Sequence, residues 1–351
     1  MTVHLNFTGT ALKKSHQFIW MCALALLILL VGAQPVRAAG PWYVDADSGS
    51  DSNPGTEAAP FATIQKAIDV AVSGDIIYVA TGTYVENPTI TKSINLVGAQ
   101  PDVAVGGRTA AGPAESTIQG LVTVNASDVT VNGFTLTNPS QSYALSITPS
   151  SSNTSITYNI VDMVGAVGFA QNVHAIVFQN GADSVTIAHN LFNNIQAGTK
   201  SVSAIGVLDS VSTDTSTDLL IQDNTFTNIT SGTKGAYGII INNAAGAPGA
   251  QILDNDFSGL SGGWTHAIGL EGPTPNAVVT GNTFTNLTAA GVDNAAIFFQ
   301  ANPNGSTVDV SMNAFNGSGY YGVAVHPDDL PGGVNGYDYT CLLYTSPSPR
   351  D

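Results

Sequence analysis

A short pattern of apolar and polar residues recurs along the chain: an apolar residue, two spacers, an asparagine, one spacer and a phenylalanine. Five downstream copies have their asparagines at Asn190, Asn224, Asn255, Asn282 and Asn313. Two looser copies precede them, 129–134 with Asn132 and 156–161 with Asn159. Successive asparagines are 27 to 34 residues apart, and repetition at this period indicates a solenoid whose coils bury their apolar faces against each other.

A second series of apolar residues lies downstream of each asparagine, as pairs separated by one position. The pairs are Leu145/Ile147, Ile176/Phe178, Ile205/Val207, Ile239/Ile241, Ile268/Leu270, Ile297/Phe299 and Val323/Val325. This alternation is typical of a strand with one buried face, and no repeat has the longer run of helical period that a helical solenoid needs. Each repeat therefore predicts three strands: one ending at the asparagine, one through the phenylalanine and one through the pair.

These features predict an all-β fold, a right-handed parallel β-helix with three strands per coil. The strands of successive coils must run parallel because every coil turns the same way, and the hand follows the rule for parallel crossover connections. Each asparagine is expected at the corner between the first two strands, where its amide tolerates the left-handed conformation and passes hydrogen bonds between coils. The phenylalanines are expected to point inward and to stack.

The first 75 residues predict an export signal and a cap. Residues 1–38 combine Lys13 and Lys14, an apolar stretch and small residues before a cleavage site, which is typical of a signal peptide. Residues 39–75 predict an opening strand, an acidic loop and an amphipathic helix within 60–71 that closes the end of the solenoid. The mature protein is therefore expected to be secreted, extracellular or at the cell surface, or in the periplasm.

The β-helix is predicted to span 76–340, and the last residues do not fit it. Residues 341–351 break the repeat pattern and resemble the translation of a sequencing adapter, so we treat them as a non-native tail. No C-terminal cap is visible before them, although solenoids need capped ends. The sequence therefore predicts a β-helix that is truncated at its C-terminal end.

Removing these two ends changes the charge and the cysteine count. Cys22 and Cys341 both fall outside 39–340, so no disulfide is expected there. Five basic residues stand against 24 acidic ones, the 25 of the full chain less Asp351, which gives a net charge of −19. This charge argues against binding of nucleic acid or anionic membrane through a basic patch. We expect a monomer with no membrane insertion once the signal is removed.

Residues 44–56, 60–68 and 74–84, together with the asparagine and phenylalanine repeats, resemble the pectin lyase-like right-handed β-helix superfamily. The resemblance implies a fold more than an activity, because that superfamily contains lyases, hydrolases, esterases, epimerases, tail-spikes and noncatalytic surface proteins. Its polyuronate lyases use an Arg or Lys base with further cations. The basic residues here, Lys66, Lys92, Arg108, Lys200 and Lys234, form no evident pair. The signatures of its polygalacturonases and pectin methylesterases are not recognisable either.

The residues after the apolar pairs predict an outward-facing column on one side of the solenoid. The column contains Thr148, Gln179, Leu208, Asn242, Glu271, Gln300 and His326. Gln179, Asn242 and Gln300 are candidate partners for sugar hydroxyls, and Phe298 and Tyr321 are candidate stacking surfaces. Glu271 is the candidate acid or nucleophile, with His326 or Asp328 as its partner, because glycosidases need two carboxyl groups about 5–10 Å apart. The alternative is an ordinary solvated strand face.

Two further groups of residues are of types that can bind metal ions. Asp45, Asp47 and Asp51 offer three carboxylates in a short loop, which suits Ca²⁺, whereas the alternative is a turn held by Asp and Ser hydrogen bonds. His174 and His266 occupy equivalent repeat positions several coils apart, so they are expected to be corner residues and not joint metal ligands. Calcium is thus the sole cofactor that the sequence suggests.

Two functions remain open on the sequence alone. The first is a secreted β-helix that binds or processes an extracellular polysaccharide or cell-surface glycan, with carboxylate catalysis of the glycoside hydrolase type if it is an enzyme. It is not expected to be a polyuronate lyase of the Arg/Lys-base type. The second is a noncatalytic surface or adhesive solenoid, which predicts no clustered carboxylates and no glycan turnover.

Overall fold

The computed structural model describes residues 40–109, 114–149, 151–178, 181–209, 216–243, 246–291, 293–300, 307–317 and 320–325. The predicted signal peptide at 1–38, the predicted non-native tail at 341–351 and residues 326–340 lie outside this part of the chain. Within it, no helix has both the length and the apolar character needed to span a membrane.

Three parallel sheets form the walls of a solenoid. Sheet 1 contains Trp42–Val44, Ile76–Val79, Asn95–Val97, Thr130–Asn132, Ser155–Thr157, Thr186–Ala188, Leu220–Gln222, Gln251–Leu253, Val278–Thr280 and Asp309–Ser311. Sheet 2 contains Gly82–Tyr84, Ser116–Gln119, Phe134–Asn138, Ile160–Gly165, Leu191–Ala197, Thr225–Ser231, Asp256–Ser258, Thr283–Thr285 and Ala314–Asn316, with the short strands Ser261–Gly262 and Thr288–Ala289 alongside. Sheet 3 contains Thr89–Ile90, Val122–Val124, Leu145–Ile147, Val173–Phe178, Val202–Asp209, Gly235–Asn243, Trp264–Leu270, Asn294–Phe299 and Tyr321–Val325.

Each strand pairs with its equivalents one coil before and one coil after, and the predicted fold class is confirmed. The apolar pairs align across sheet 3 as expected: Ile239 pairs with Ile268, which pairs with Ile297. Their side chains are fully buried, so the inner faces of the three sheets form one apolar core. Burial of such columns supplies most of the favourable free energy of folding.

The asparagines form a continuous ladder, as predicted, but they do not adopt the left-handed conformation. Asn224 accepts hydrogen bonds from the backbone and side-chain amides of Asn190, at 3.0 Å each, and donates to the Ile187 carbonyl at 2.8 Å and to Asn255 at 3.0 Å. The positive φ angle belongs to the residue before each asparagine, such as His189 at 58° and Asp223 at 52°. The corner therefore uses two residues, one for the backbone turn and one for the buried amide.

The phenylalanines stack inside the solenoid as predicted. Ring centroids of Phe192, Phe226, Phe257, Phe284 and Phe315 are 4.5–5.3 Å apart in successive pairs, with interplanar angles of at most 11°. The first four rings are fully buried. Offset stacking at this spacing adds to the burial of their area.

The alignment of the first repeat copy was wrong by two residues. Ile156 pairs with Val131, not Val129, and Ile160 pairs with Thr135. Phe134 therefore occupies the asparagine position, and its backbone N–H donates to the side chain of Asn159 at 3.0 Å. Gly133, with a φ of 82°, forms the backbone turn before Phe134. This coil therefore has the same corner as the others but contributes no side-chain amide to the asparagine ladder.

A short helix, α1 (Ile64–Val70), lies at the N-terminal end of the solenoid, within the predicted range. Thr63 caps it by accepting from the Lys66 N–H, and the Glu86 carboxylate accepts from the N–H groups of Ile64 and Gln65. Its apolar side is buried against the first coils. The helix thus shields the inner apolar column, as the sequence predicts.

Two of the basic residues have structural roles. Lys92 donates to the carbonyls of Ile68, Asp69 and Ala71 at the C-terminal end of α1. Arg108 forms a buried bidentate ion pair with Glu115, with Nη2 at 2.7 Å from Oε2. Both cations are therefore engaged in contacts within the protein.

Candidate functional site

The candidate site lies on the outer face of sheet 3, on the strands Gly235–Asn243, Trp264–Leu270 and Asn294–Phe299. Ile241 and Leu270 pair in register and point inward, so the residues that follow them, Asn242 and Glu271, face outward in adjacent coils. Tyr237 pairs with His266 on the same face. Three consecutive coils therefore bring polar and aromatic side chains to one surface.

An imidazole with a carboxylate at each of its nitrogens forms the centre of this surface. Nδ1 of His266 is 3.7 Å from Oε1 of Glu271, and Nε2 is 3.1 Å from Oδ1 of Asp293. The His266 side chain is 3% exposed, Glu271 14% and Asp293 50%. Nδ1 makes no hydrogen bond to any described residue, because 3.7 Å is too long for one. The buried ring therefore lies between a mostly buried carboxylate, Glu271, and a half-exposed one, Asp293.

Two aromatic rings hold His266 in place. The Phe298 ring stacks on it with centroids 4.0 Å apart and planes 7° from parallel. Tyr237 meets the imidazole edge-on at 5.6 Å. Both rings are about 5% exposed, so they pack against the imidazole more than they face solvent. Phe298 therefore packs against His266, and its predicted stacking on a sugar stays a prediction.

Glu271 has further partners besides His266. Nδ2 of Asn242 donates to Oε2 of Glu271 at 3.2 Å, which is a contact between two residues of the predicted column. The Tyr237 hydroxyl accepts a hydrogen bond from Nε1 of Trp264 at 2.8 Å and also interacts with the Glu271 carboxylate. Burial raises the pKa of Tyr237, and the charge of Glu271 raises it further. The phenol thus keeps its proton beside the carboxylate.

The other predicted site residues divide into two groups. Gln300 comes directly after the strand Asn294–Phe299, and its backbone N–H donates to the carbonyl of Leu270, the residue before Glu271. Tyr321 is 64% exposed and pairs in register with Ala295 on the same sheet. Both lie on the candidate surface. Gln179, His326 and Asp328 lie outside the described residues, so the predicted pairing of Glu271 with His326 or Asp328 remains a prediction.

Four residues of the site were not among the sequence candidates: Tyr237, Trp264, His266 and Asp293. His266 was expected to be a corner residue, yet the structure places it between two carboxylates. The alternation does not identify it, because His266 is two residues before Ile268 and would therefore be expected on the inward face, whereas Glu271 is one residue after Leu270. Asp293 comes directly before the strand Asn294–Phe299 and has no equivalent in the repeat pattern, so the repeats do not identify it as a site residue.

The acidic loop near the N-terminus uses its carboxylates within the protein. Asp45 accepts from the N–H groups of Asp47 and Ser48 and from the Ser48 hydroxyl at 2.6 Å, and the Ser48 hydroxyl is the main cause of a lowered pKa of Asp45. Asp51 accepts from the N–H groups of Ala62 and Thr63. No three His, Cys, Asp or Glu side chains in the described ranges are grouped to hold a metal ion. These hydrogen bonds are those of the turn alternative, and the calcium site at Asp45, Asp47 and Asp51 stays a prediction.

His174, the second histidine of this face, is buried next to different partners. Its Nδ1 forms a 2.8 Å hydrogen bond with the Ser203 hydroxyl, and its ring stacks on Tyr143. Burial lowers the pKa of His174 to about 4. This histidine is therefore a neutral structural residue at ordinary pH.

The lowered pKa makes stability depend on pH. In the unfolded chain the pKa is the ordinary 6.5, so below that value the unfolded state binds a proton that the folded state resists. The contribution of neutral His174 to the free energy of unfolding is fully present above pH 6.5. It is expected to fall by about 3 kcal/mol as the pH drops to 4. Urea unfolding at pH 7, 5.5 and 4 of the wild type and of His174→Gln measures this. A pH dependence that is the same in both proteins contradicts the assignment.

Comparisons with known proteins find one family match to a short segment and several distant structural likenesses. A protein family of unknown function, DUF1565, matches residues 47–89. No curated protein matches the sequence. A lacto-N-biosidase of family GH136 from Eubacterium ramulus is 10% identical over 82% of this chain, with a TM-score of 0.43, and the chain spans 66% of its length.

Two other solved structures are similar at the same level. The pectin methylesterase of Aspergillus niger is 14% identical over 84% of this chain and 89% of its own, with a TM-score of 0.36. A rhamnogalacturonan lyase is 17% identical over 80% of this chain and 88% of its own, with a TM-score of 0.31. The parallel β-helix fold of this chain is shown by its own strand pairing. At these identities the likeness does not extend to activity.

Proposed function

We propose that this protein binds a glycan along the outer face of sheet 3 and hydrolyses a glycosidic bond with Glu271 and Asp293. The observation that supports this most is the pair of carboxylates at the two nitrogens of the buried His266. Glycoside hydrolysis needs two carboxyl groups on either side of the scissile bond. Asn242, Gln300 and Tyr321 lie on the same surface and offer hydrogen bonds and a ring to a sugar.

The reaction needs only water and the two side chains. One carboxylic acid donates its proton to the glycosidic oxygen as the bond from that oxygen to the anomeric carbon breaks. The other carboxylate takes a proton from a water molecule whose oxygen bonds to the same carbon. One water is added in total, and proton exchange with solvent restores both side chains.

The charges favour a neutral glycan over a polyuronate. Arg108 is neutralised by Glu115, and Lys92 is bound by helix carbonyls. Among the described residues, Lys234 is the basic side chain that lies against the site, over the Trp264 ring at 5.7 Å. A surface with two carboxylates repels substrate carboxylates that have no cation to offset them.

A glycan panel tests the proposal. The purified chain is incubated with xylan, mannan, β-glucan and galactan and, for comparison, with polygalacturonate and alginate, and reducing ends are measured. We expect release from at least one neutral glycan and none from the two polyuronates. Retention on a glycan without any release contradicts hydrolysis and supports the noncatalytic surface protein.

A further inference from the structure

Trp264 begins the central strand of the candidate surface and is partly exposed there. The other described tryptophan, Trp42, is 8% exposed and belongs to the apolar core. Tyr237 contacts both Trp264 and His266, so the indole lies on the same outer face as the imidazole. Single exposed apolar residues are common on protein surfaces, but Trp264 differs from them because its neighbours fix the orientation of its ring.

Three neighbouring groups hold the Trp264 indole. Its Nε1–H donates to the Tyr237 hydroxyl at 2.8 Å, since an indole nitrogen can only donate. A Cβ at Gly235, in the preceding coil, would lie 2.4 Å from Nε1 and 2.8 Å from Cε2, so the ring occupies space that a glycine leaves free. The Lys234 ammonium lies over the ring, 5.7 Å from its centroid. The indole is therefore pre-organised, and a ligand that contacts it has little side-chain entropy to remove.

Hydrogen-bond donors and acceptors lie on either side of the indole. Lys234 offers donors from the preceding coil. The backbone N–H of Thr265, the residue after Trp264, donates to the Asp293 carbonyl at 3.2 Å, so Asp293 lies beside Trp264 in the next coil. Its half-exposed carboxylate offers acceptors there. An aromatic face with polar groups at its rim suits a pyranose, which has an apolar C–H face and hydroxyls around its edge.

The charge of the surface selects among planar ligands. A nucleotide or an acidic sugar would bring further negative charge beside Asp293 and Glu271. A neutral pyranose brings none, and its hydroxyls both donate and accept hydrogen bonds. The surface around Trp264 therefore suits a neutral sugar better than the other ligands that stack on an indole.

We infer that Trp264 is the platform on which a pyranose ring of a neutral glycan stacks, in a subsite beside Asp293. The C–H face of the sugar lies on the indole, and its hydroxyls meet Lys234 and Asp293 at the rim. The inference rests on the proposed function for the class of ligand. Stacking needs no bond cleavage, so it can be tested apart from hydrolysis.

Calorimetric titration of the purified chain with cellohexaose, xylohexaose, mannohexaose and galactohexaose tests the subsite. Any of these that the wild type cleaves is titrated in the Glu271→Gln background. Trp264→Ala is expected to raise the Kd of at least one oligosaccharide about 10- to 100-fold, as for truncation of a tryptophan at the centre of a binding surface. Trp264→Phe keeps an aromatic face and is expected to raise it less than about five-fold.

Two controls keep the test independent of folding. Tyr78→Ala removes an exposed ring from the outer face of sheet 1, where Tyr78 is 39% exposed, and is expected to leave the Kd unchanged. In a ¹⁵N–¹H spectrum of the otherwise unmodified chain, the saturating oligosaccharide is expected to move the indole resonance of Trp264 and not that of Trp42. The Trp264 resonance is assigned by its absence from Trp264→Phe.

The results separate the subsite from the proposed function. A Kd that Trp264→Ala leaves unchanged, or a Trp264 resonance unmoved at saturation, overturns the subsite and leaves hydrolysis standing. Weaker binding by Trp264→Ala, with no release of reducing ends by the wild type, supports the subsite and contradicts hydrolysis. Absence of binding of all four oligosaccharides at millimolar concentration overturns the subsite.

Discussion

Glu271→Gln is expected to lower kcat for glycoside hydrolysis by about 10³-fold, which is a typical contribution of a positioned acid or base. Glutamine keeps the shape of the side chain and still accepts from the Asn242 amide, but it can neither give a proton to the glycosidic oxygen nor take one from water. KM is expected to stay close to that of the wild type, because the binding surface is unchanged. Initial rates of reducing-end release on the responsive glycan measure both constants.

The matched control is Asp309→Asn, which removes a carboxylate from an exposed position of sheet 1. It is expected to leave kcat unchanged, whereas Asp293→Asn is expected to lower kcat by a similar order to Glu271→Gln. Unfolding midpoints of all three variants show whether each remains folded. Turnover by Glu271→Gln at the wild-type rate would contradict the assignment of this carboxylate.

The fold was predictable because its signals repeat. Each coil needs an inward-facing apolar pair and a residue for the corner. A repeat that matches the pattern poorly can therefore be aligned from the other repeats. The ladder and the phenylalanine stack follow from this periodicity alone. The conformation of the asparagine does not follow from the periodicity, because a left-handed corner and a buried amide ladder both favour asparagine at this position. Only the φ angles, positive at His189 and Asp223, separate the two.

The site was less predictable because it departs from the repeat. Glu271 and Asn242 were identified, since they follow the apolar pairs in register. Asp293 lies in a connection, and Trp264 and Tyr237 depend on the room left by Gly235 and Gly269, which a single sequence does not show. His266 has the same repeat position as His174, yet one lies between carboxylates and the other beside Ser203. Equivalent positions thus acquire different roles from their neighbours in adjacent coils.

Asn224→Ala is expected to lower the free energy of unfolding by about 3–5 kcal/mol, because it leaves buried partners without hydrogen bonds. The Asn224 side chain is almost fully buried and makes four hydrogen bonds. Its loss deprives the backbone N–H of Asn190 and the carbonyl of Ile187 of partners that water cannot replace. Each such group costs about 1–3 kcal/mol.

Gln222→Ala is the matched control, since it truncates an outward amide two residues earlier, at the end of the strand Leu220–Gln222. It is expected to change stability by less than about 0.5 kcal/mol. Urea unfolding measures the free energies, and hydrogen exchange adds a local measurement, because the Asn190 amide proton is expected to lose protection in Asn224→Ala alone. A loss of less than 1 kcal/mol with that proton still protected would mean that the ladder is replaceable. The period of about thirty residues would then be set by apolar stacking and not by the asparagines.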